Sequence, residues 1–300
     1  MASYDHVDIK IVEVSPRDGL QNVASLVSAK RKIQFVNQLS GTGLGFIEVT
    51  SFVSPKAVPQ LSDSDIVFSG ITKRDGVEYS ALVPNEQGLE RALRLNVQHI
   101  AIFTAASEQF CQKNIRCSIE ESLCRFKPVI DRAKAEGCTV RAYVSCVLGC
   151  PYEGKIKLQA VTELVRKLNE LGCDEISLGD TIGVGTAKQS AGLVRACSEI
   201  APISNIAVHF HDTRGQALAN ILSCIDQGVR IIDASVAGLG GCPYAKNASG
   251  NVATEDVIYM LHGMGLNTGV DLEALIKAGQ FISQELAIEN HSRVAQAGVF

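Results

Sequence analysis

The sequence predicts a closed (β/α)8 TIM barrel, an α/β fold, and three observations lead to it. Short β-branched runs alternate with longer stretches of helical apolar spacing along the chain. Eight strand-like runs of this kind occur in order, the number that closes such a barrel. The turn after the first run, Ser15–Asn22 (SPRDGLQN), holds neither G-x-G-x-x-G nor a P-loop pattern. The doubly wound nucleotide-binding sheet, the other fold with this alternation, therefore lacks its fingerprint.

The strand-like runs are Asp8–Val14, Gly45–Thr50, Glu78–Val83, His99–Thr104, Thr139–Val144, Glu175–Leu178, Asn205–Phe210 and Ile231–Ala237. Helical spacing covers Ala29–Leu39, Glu86–Leu95, Ile119–Ala135, Lys155–Leu171, Ala187–Ala201 and Gln216–Gln227, and the tail Asp271–Phe300 reads as one or two further helices. Gly137 and Gly172 stand where a helix ends in a left-handed residue before a strand. Thr186 and Thr213 stand as helix N-caps. No linker-like stretch divides the chain, so residues 1–300 are expected to form one catalytic domain, with the barrel over about 8–265 and a helical extension over about 271–300.

Composition narrows the function classes. Of the 300 residues 46% are apolar, Trp is absent and aromatics make up 5%, so the core is expected to be aliphatic. A net charge of -4, from 28 basic and 32 acidic residues, argues against a broad nucleic-acid face and against disorder. No stretch approaches the ~20 apolar residues of a membrane span, and Met1–Asp8 (MASYDHVD) has neither signal nor transit character, so a cytoplasmic protein is expected. Ten cysteines without a C-x-x-C pair read as free thiols, mostly small hydrophobes in a reducing compartment.

In a barrel of this class, chemistry gathers at the C-terminal strand ends. Those ends hold Arg17 and Asp18, Glu48, Asp180, then His209, His211 and Asp212, and, after the last strand, Cys242 and Asn251. His209 and His211 are two apart on a strand, so their imidazoles share one face and can share one metal ion, with Asp18 as a carboxylate third ligand. The alternative for either His is a hydrogen-bonded wall residue. Arg17 fits the stabilisation of an oxyanion or carboxylate, and equally a structural ion pair. Glu48 is a charge inside an apolar run and needs a partner, for which Arg17 is available. Ala237–Asn251 (AGLGGCPYAKNASGN) is a glycine-rich stretch carrying a thiol, and fits a lid that brings Cys242 to a site as acid or base, a phosphate-binding loop, or an inert turn.

Together these segments resemble the 3-hydroxy-3-methylglutaryl-CoA lyases, within a superfamily of metal-dependent barrel lyases, aldolases and Claisen-type synthases. The resemblance runs from Val12 to about Gly279, carried by EVSPRDGLQN (Glu13–Asn22), IEVTSFVSPKAVPQ (Ile47–Gln60), SLGDTIGVG (Ser177–Gly185), HFHDTRGQALAN (His209–Asn220) and GLGGCPYAKNASGNVATEDVIYML (Gly238–Leu261). The R-D and H-x-H-D pieces are shared across the superfamily, whereas the SFVSPK stretch and the cysteine segment single out the lyases.

The resemblance implies Asp18, His209, His211 and Asn251 as ligands of Mg2+ or Mn2+. It also implies Arg17 as enolate stabiliser, Cys242 as the reacting thiol, Glu48 as a supporting acid, and Asp180 and Glu255 as further substrate-site carboxylates. It further implies an acyl-CoA substrate, with neither nucleic acid nor membrane as partner, and a homodimer. Two alternatives stand beside it: a related acyl-CoA lyase, synthase or aldolase of the same superfamily, and a silent barrel serving as a binding scaffold.

Overall fold

A computed structural model describes residues 7–240 and 250–298. Its eight strands are β1 (Lys10–Glu13), β2 (Phe46–Ser51), β3 (Glu78–Leu82), β4 (His99–Ala105), β5 (Thr139–Ser145), β6 (Glu175–Asp180), β7 (Ile206–Phe210) and β8 (Ile231–Ala234). Each pairs in parallel with the next, and β8 returns to β1 through Lys10–Ile231 to Glu13–Ala234, closing the barrel. The helices are α1 (Ala29–Leu39), α2 (Ser64–Gly70), α3 (Glu86–Arg94), α4 (Glu108–Ile115), α5 (Ile119–Ala135), α6 (Leu158–Glu170), α7 (Ala187–Ser198), α8 (Ala217–Ile225), α9 (Thr254–Gly263), α10 (Leu272–Leu286) and α11 (Arg293–Ala297). The expected TIM barrel is the observed one.

The strands alternate with period two. Ile11, Ile47, Ile100, Val140, Ile176, Val208 and Ile232 point outward and join the apolar faces of the helices in one core that is mostly aliphatic but also buries Phe35, Phe68 and Phe210. The inward face departs from the expected aliphatic character. A small apolar group, Val12, Val14, Phe46, Ala207 and Ile231, is buried there. Beside it, ionised side chains meet in the interior: Lys10 pairs across the barrel with Glu175 at 3.1 Å, and Arg141 reaches both Glu175 on the adjacent strand and Asp233 across the barrel.

Local signals account for most helix boundaries. Gly137 and Gly172 have φ of +79° and +89°. Cys138 N–H returns to the Ala133 carbonyl and Cys173 N–H to that of Leu168, which completes the six-residue closing motif at both helix ends. Thr186 caps α7, but Thr213 does not cap α8. Gln216 stands at the N-cap, and the Asp212 carboxylate accepts the Ala217 N–H at 2.9 Å. Helix α7 stops at Ser198, short of the expected Ala201, where Pro202 disfavours helical backbone. Strand β8 stops at Ala234 because Val236–Gly238 turns sharply, with Ala237 at φ +59°. Helices α2, α4 and α9 were not anticipated: α2 and α4 are only 7 and 8 residues long, and α9 directly follows the glycine-rich stretch.

Gly43 lies in the turn between α1 and β2 at φ +86°, where a Cβ would run into the Gly269 carbonyl oxygen. Gly137 has a similar φ but open space around its missing Cβ. Gly43→Ala is expected to cost more than about 2 kcal/mol in urea unfolding. Gly137→Ala should cost about 1 kcal/mol, the left-handed backbone penalty alone.

Candidate active site

The site begins with a distortion. After β1, Ser15–Gly19 forms one wide helical turn, in which the N–H groups of Asp18 and Gly19 both return to the Val14 carbonyl, at 2.8 and 3.2 Å. This turn carries Arg17 and Asp18 over the barrel mouth. Arg17 is 6% exposed and donates through Nε to Glu48 Oε2 at 2.6 Å and through a terminal nitrogen to Asp18 Oδ1 at 2.8 Å. Its guanidinium lies 5.2 Å from the centre of the Tyr143 ring. Glu48 Oε1 is buried with no hydrogen-bond partner among the described residues, and burial pushes this carboxyl up against the pull of Arg17.

Asp18 is the point of convergence. Besides Arg17 it accepts from Gln21 at 2.9 Å and, on Oδ2, from Asn251 at 2.7 Å, and His209 Nε2 lies 3.9 Å from that oxygen. Burial works to raise its pKa, but Arg17, His209 and the Asn251 amide hold it down at about 2. His209 and His211 project from the end of β7 as their spacing predicted, with ring centres 5.7 Å apart. Asp18, His209 and His211 each offer one ligand atom, all within 4.8 Å of one another. Burial and the neighbouring His209 lower His211 to about 4, and its Nδ1 is buried without a partner among the described residues. A neutral imidazole with an orphaned nitrogen, beside a carboxylate held ionised, is the donor set a divalent cation needs. Asn251 adjoins this trio through its bond to Asp18 and a backbone bridge to His211.

Four groups behind the site were not anticipated. Asp233, at the centre of the barrel, accepts from Arg141, from Ser177 Oγ at 2.7 Å and from His209 Nδ1 at 3.3 Å. With Nδ1 taken, Nε2 is the ring nitrogen turned to Asp18. Tyr143 packs edge-on to His209 with ring centres 6.0 Å apart, and its hydroxyl is buried without a partner among the described residues. Asp233 and Arg141 share with Glu48 a visible signal: each is a charge inside an otherwise apolar strand.

The mouth opens into a cavity of about 520 Å3. Its lining includes the polar groups of Arg17, Asp18, Gln21, Tyr143, His209 and His211 and an apolar set, Phe103, Phe110, Ile115 and Phe126. Asp180 and Glu255 are turned away from it. Asp180 accepts the N–H groups of Val184 and Gly185 at 3.2 and 2.8 Å, and Glu255 accepts Ala237 N–H on both oxygens at 3.0 and 2.9 Å. Each carboxylate thus shapes its own loop. Burial raises Glu255 to about 8. Cys242 lies outside the described residues; the nine described cysteines are free thiols, all buried except Cys124.

Replacing Asp233 by Asn removes the charge and one of the two acceptor oxygens that hold His209 and Arg141, and should weaken divalent-cation binding by about 10- to 100-fold in calorimetric titration. Glu255 binds its proton more tightly folded than unfolded, so its contribution to stability is full below the unfolded carboxylate range and is lost as pH rises to about 8. Between pH 5 and 9 the melting temperature of the parent should therefore fall relative to that of Glu255→Gln.

The HMGL-like family matches residues 8–282. The rat protein named 3-hydroxy-3-methylglutaryl-CoA lyase, cytoplasmic, is 56% identical over 289 residues, 96% of this chain and 84% of that protein. The Pseudomonas aeruginosa protein named 3-hydroxy-3-isohexenylglutaryl-CoA/hydroxy-methylglutaryl-CoA lyase is 53% identical, covering 96% of each. A crystal structure of hydroxymethylglutaryl-CoA lyase from Pseudomonas aeruginosa superposes with a TM-score of 0.95 at 52% identity, over 97% of both chains. By a match that spans nearly all of the barrel, this chain belongs to the HMGL-like family.

Proposed function

We propose that this chain is a hydroxymethylglutaryl-CoA lyase, a carbon–carbon lyase that cleaves 3-hydroxy-3-methylglutaryl-CoA to acetoacetate and acetyl-CoA. The carrying observation is the Asp18–His209–His211 trio with Arg17 on the wall of the same cavity. Similarity at 53–56% identity over 96% of the chain to proteins so named supports the substrate. Asp18, His209, His211 and Asn251 would hold a divalent cation, Mg2+ or Mn2+. When bound, the cation supplies Lewis acidity that acidifies the tertiary alcohol and aligns it.

The chain's own groups then divide the work. His209, its tautomer set by Asp233, takes the hydroxyl proton on Nε2. The same Nε2 would serve as a ligand of the cation, so the two roles compete for it. The C–C bond breaks, its electron pair passing to the thioester as an enolate, and the alcohol carbon becomes the ketone of acetoacetate. Arg17, held in position by Glu48 and Asp18, stabilises the enolate oxygen. Cys242 delivers a proton to the enolate carbon, giving acetyl-CoA, and regains one from the base or from solvent. Asp180 and Glu255 serve this site by fixing loops.

The apolar residues that share the cavity with Arg17 favour a second substrate within the same reaction: a glutaryl-CoA with a longer apolar branch at C3, as in the name of the Pseudomonas relative. We also assign the described barrel and its two C-terminal helices to one catalytic domain acting in the cytoplasm on a free acyl-CoA. No described helix is long and apolar enough to cross a membrane. We also propose a homodimer, which light scattering of the purified protein checks.

Acetoacetate release from hydroxymethylglutaryl-CoA should require a divalent cation, stop with EDTA and return on adding Mg2+ or Mn2+. Release unaffected by chelation, or none at all, would contradict the reading. Arg17→Gln should lower kcat by about 10²- to 10³-fold. Cys242→Ser should leave cation affinity unchanged while depressing turnover, and unchanged turnover would remove Cys242 from the mechanism.

A further inference from the structure

The segment Ile47–Gln60 carries part of the lyase resemblance, yet of its residues the chemistry above uses only Glu48. Its last residue explains more. Gln60 is 3% exposed in the short turn Pro59–Leu61, and its side chain reaches across to the loop that follows the Arg17–Asp18 turn. Oε1 accepts the Val27 N–H at 3.0 Å, and Nε2 donates to the carbonyls of Ser25 at 2.8 Å and Val23 at 3.4 Å. Between these anchors Ala24, Ser25 and Leu26 are exposed, so this stretch has little packing of its own to fix its shape.

The backbone of Gln60 is fixed as firmly. Lys32 on α1 is 4% exposed, and its ammonium donates to the Gln60 carbonyl and to Asp63 Oδ1, the latter at 2.7 Å. A buried ammonium stripped of these partners would be left with its desolvation penalty uncompensated, so cation, amide and carboxylate hold one another in a single arrangement. Both loops joined in this way line the cavity, the first through Gln21 and Asn22 and the second through Val53 and Val58. Gln21 also donates to Asp18.

We propose that Gln60, held by Lys32 and Asp63, is a positioning residue for the acyl-CoA: it staples the first two βα loops together and sets the wall formed by Gln21 and Asn22. This inference takes the proposed lyase reaction as its frame. A wall that contacts the bound substrate and the transition state alike changes KM, whereas a group acting in bond breaking changes kcat. Gln60 is thus assigned to substrate binding.

The test uses Gln60→Leu, which removes all three side-chain bonds, and Gln60→Glu, which keeps an acceptor for Val27 but loses both donations. Hydrogen–deuterium exchange over residues 21–27, calorimetric binding of acetyl-CoA, and steady-state kinetics are measured on the folded enzyme. Gln60→Leu should exchange faster over 21–27, bind acetyl-CoA more weakly, and raise KM about tenfold or more with kcat changed less than about threefold. Gln60→Glu, whose carboxylate would face the Ser25 and Val23 carbonyls, should likewise exchange faster over 21–27 and raise KM, and carries the test alone if Gln60→Leu does not fold. Unchanged exchange overturns the proposal, as does faster exchange with parent KM and kcat, or a loss confined to kcat. Absence of acetoacetate release by the parent itself would instead overturn the lyase reading, while the exchange and acetyl-CoA measurements still decide whether Gln60 shapes the wall.

Discussion

The site depends on a carboxylate that never reaches the cavity. Asp233 is 1% exposed inside the barrel and is kept ionised there, against its burial, by Arg141 and His209. Ser177 supplies a further hydrogen bond. A charge so placed is tolerated only with its partners complete, and removing one would leave the others unpaired in the interior. This constraint fixes the His209 ring, and with it the nitrogen offered to Asp18. It also explains why the interior at this level is ionic: Lys10, Glu175 and Arg141 continue the chain of charges from Asp233 toward the bottom of the barrel.

Above that level, carboxylates act on the backbone. Glu13 accepts the N–H groups of Ser15 and Val236 and the Thr254 hydroxyl. It thereby ties the end of β1, where the Arg17–Asp18 turn begins, to the loop after β8. Glu255 holds the left-handed Ala237 in that same loop. The backbone on both sides of the mouth is thus set by buried acceptors taking N–H groups that the ends of parallel strands leave unpaired. Rigid strand ends combined with loops held this way suit a reaction in which proton donor, acceptor and oxyanion partner must be aligned together.

The barrel was legible in the sequence because parallel strands buried on both faces read as continuous β-branched runs separated by helical spacing. Helix ends with glycine signals were legible for the same local reason. Arg17, Asp18, His209 and His211 came together because strand termini share one face of the barrel. The Arg141–Asp233 pair was not anticipated: its members are 92 positions apart, and period-two alternation alone does not say which strands meet through the interior. Asp180 and Glu255 were expected at the substrate because the family resemblance implied it. Their orientation toward backbone amides depends on loop geometry that no local pattern encodes.

The account stands on a cation held by Asp18 and two imidazoles beside Arg17. Pulsed electron paramagnetic resonance of the Mn2+-loaded protein reads those ligands directly. The account predicts nitrogen couplings from two coordinated imidazoles, reduced to one in His211→Gln, with Asp18→Asn weakening the bound signal. A spectrum showing water and carboxylate alone, unchanged by His211→Gln, would contradict it.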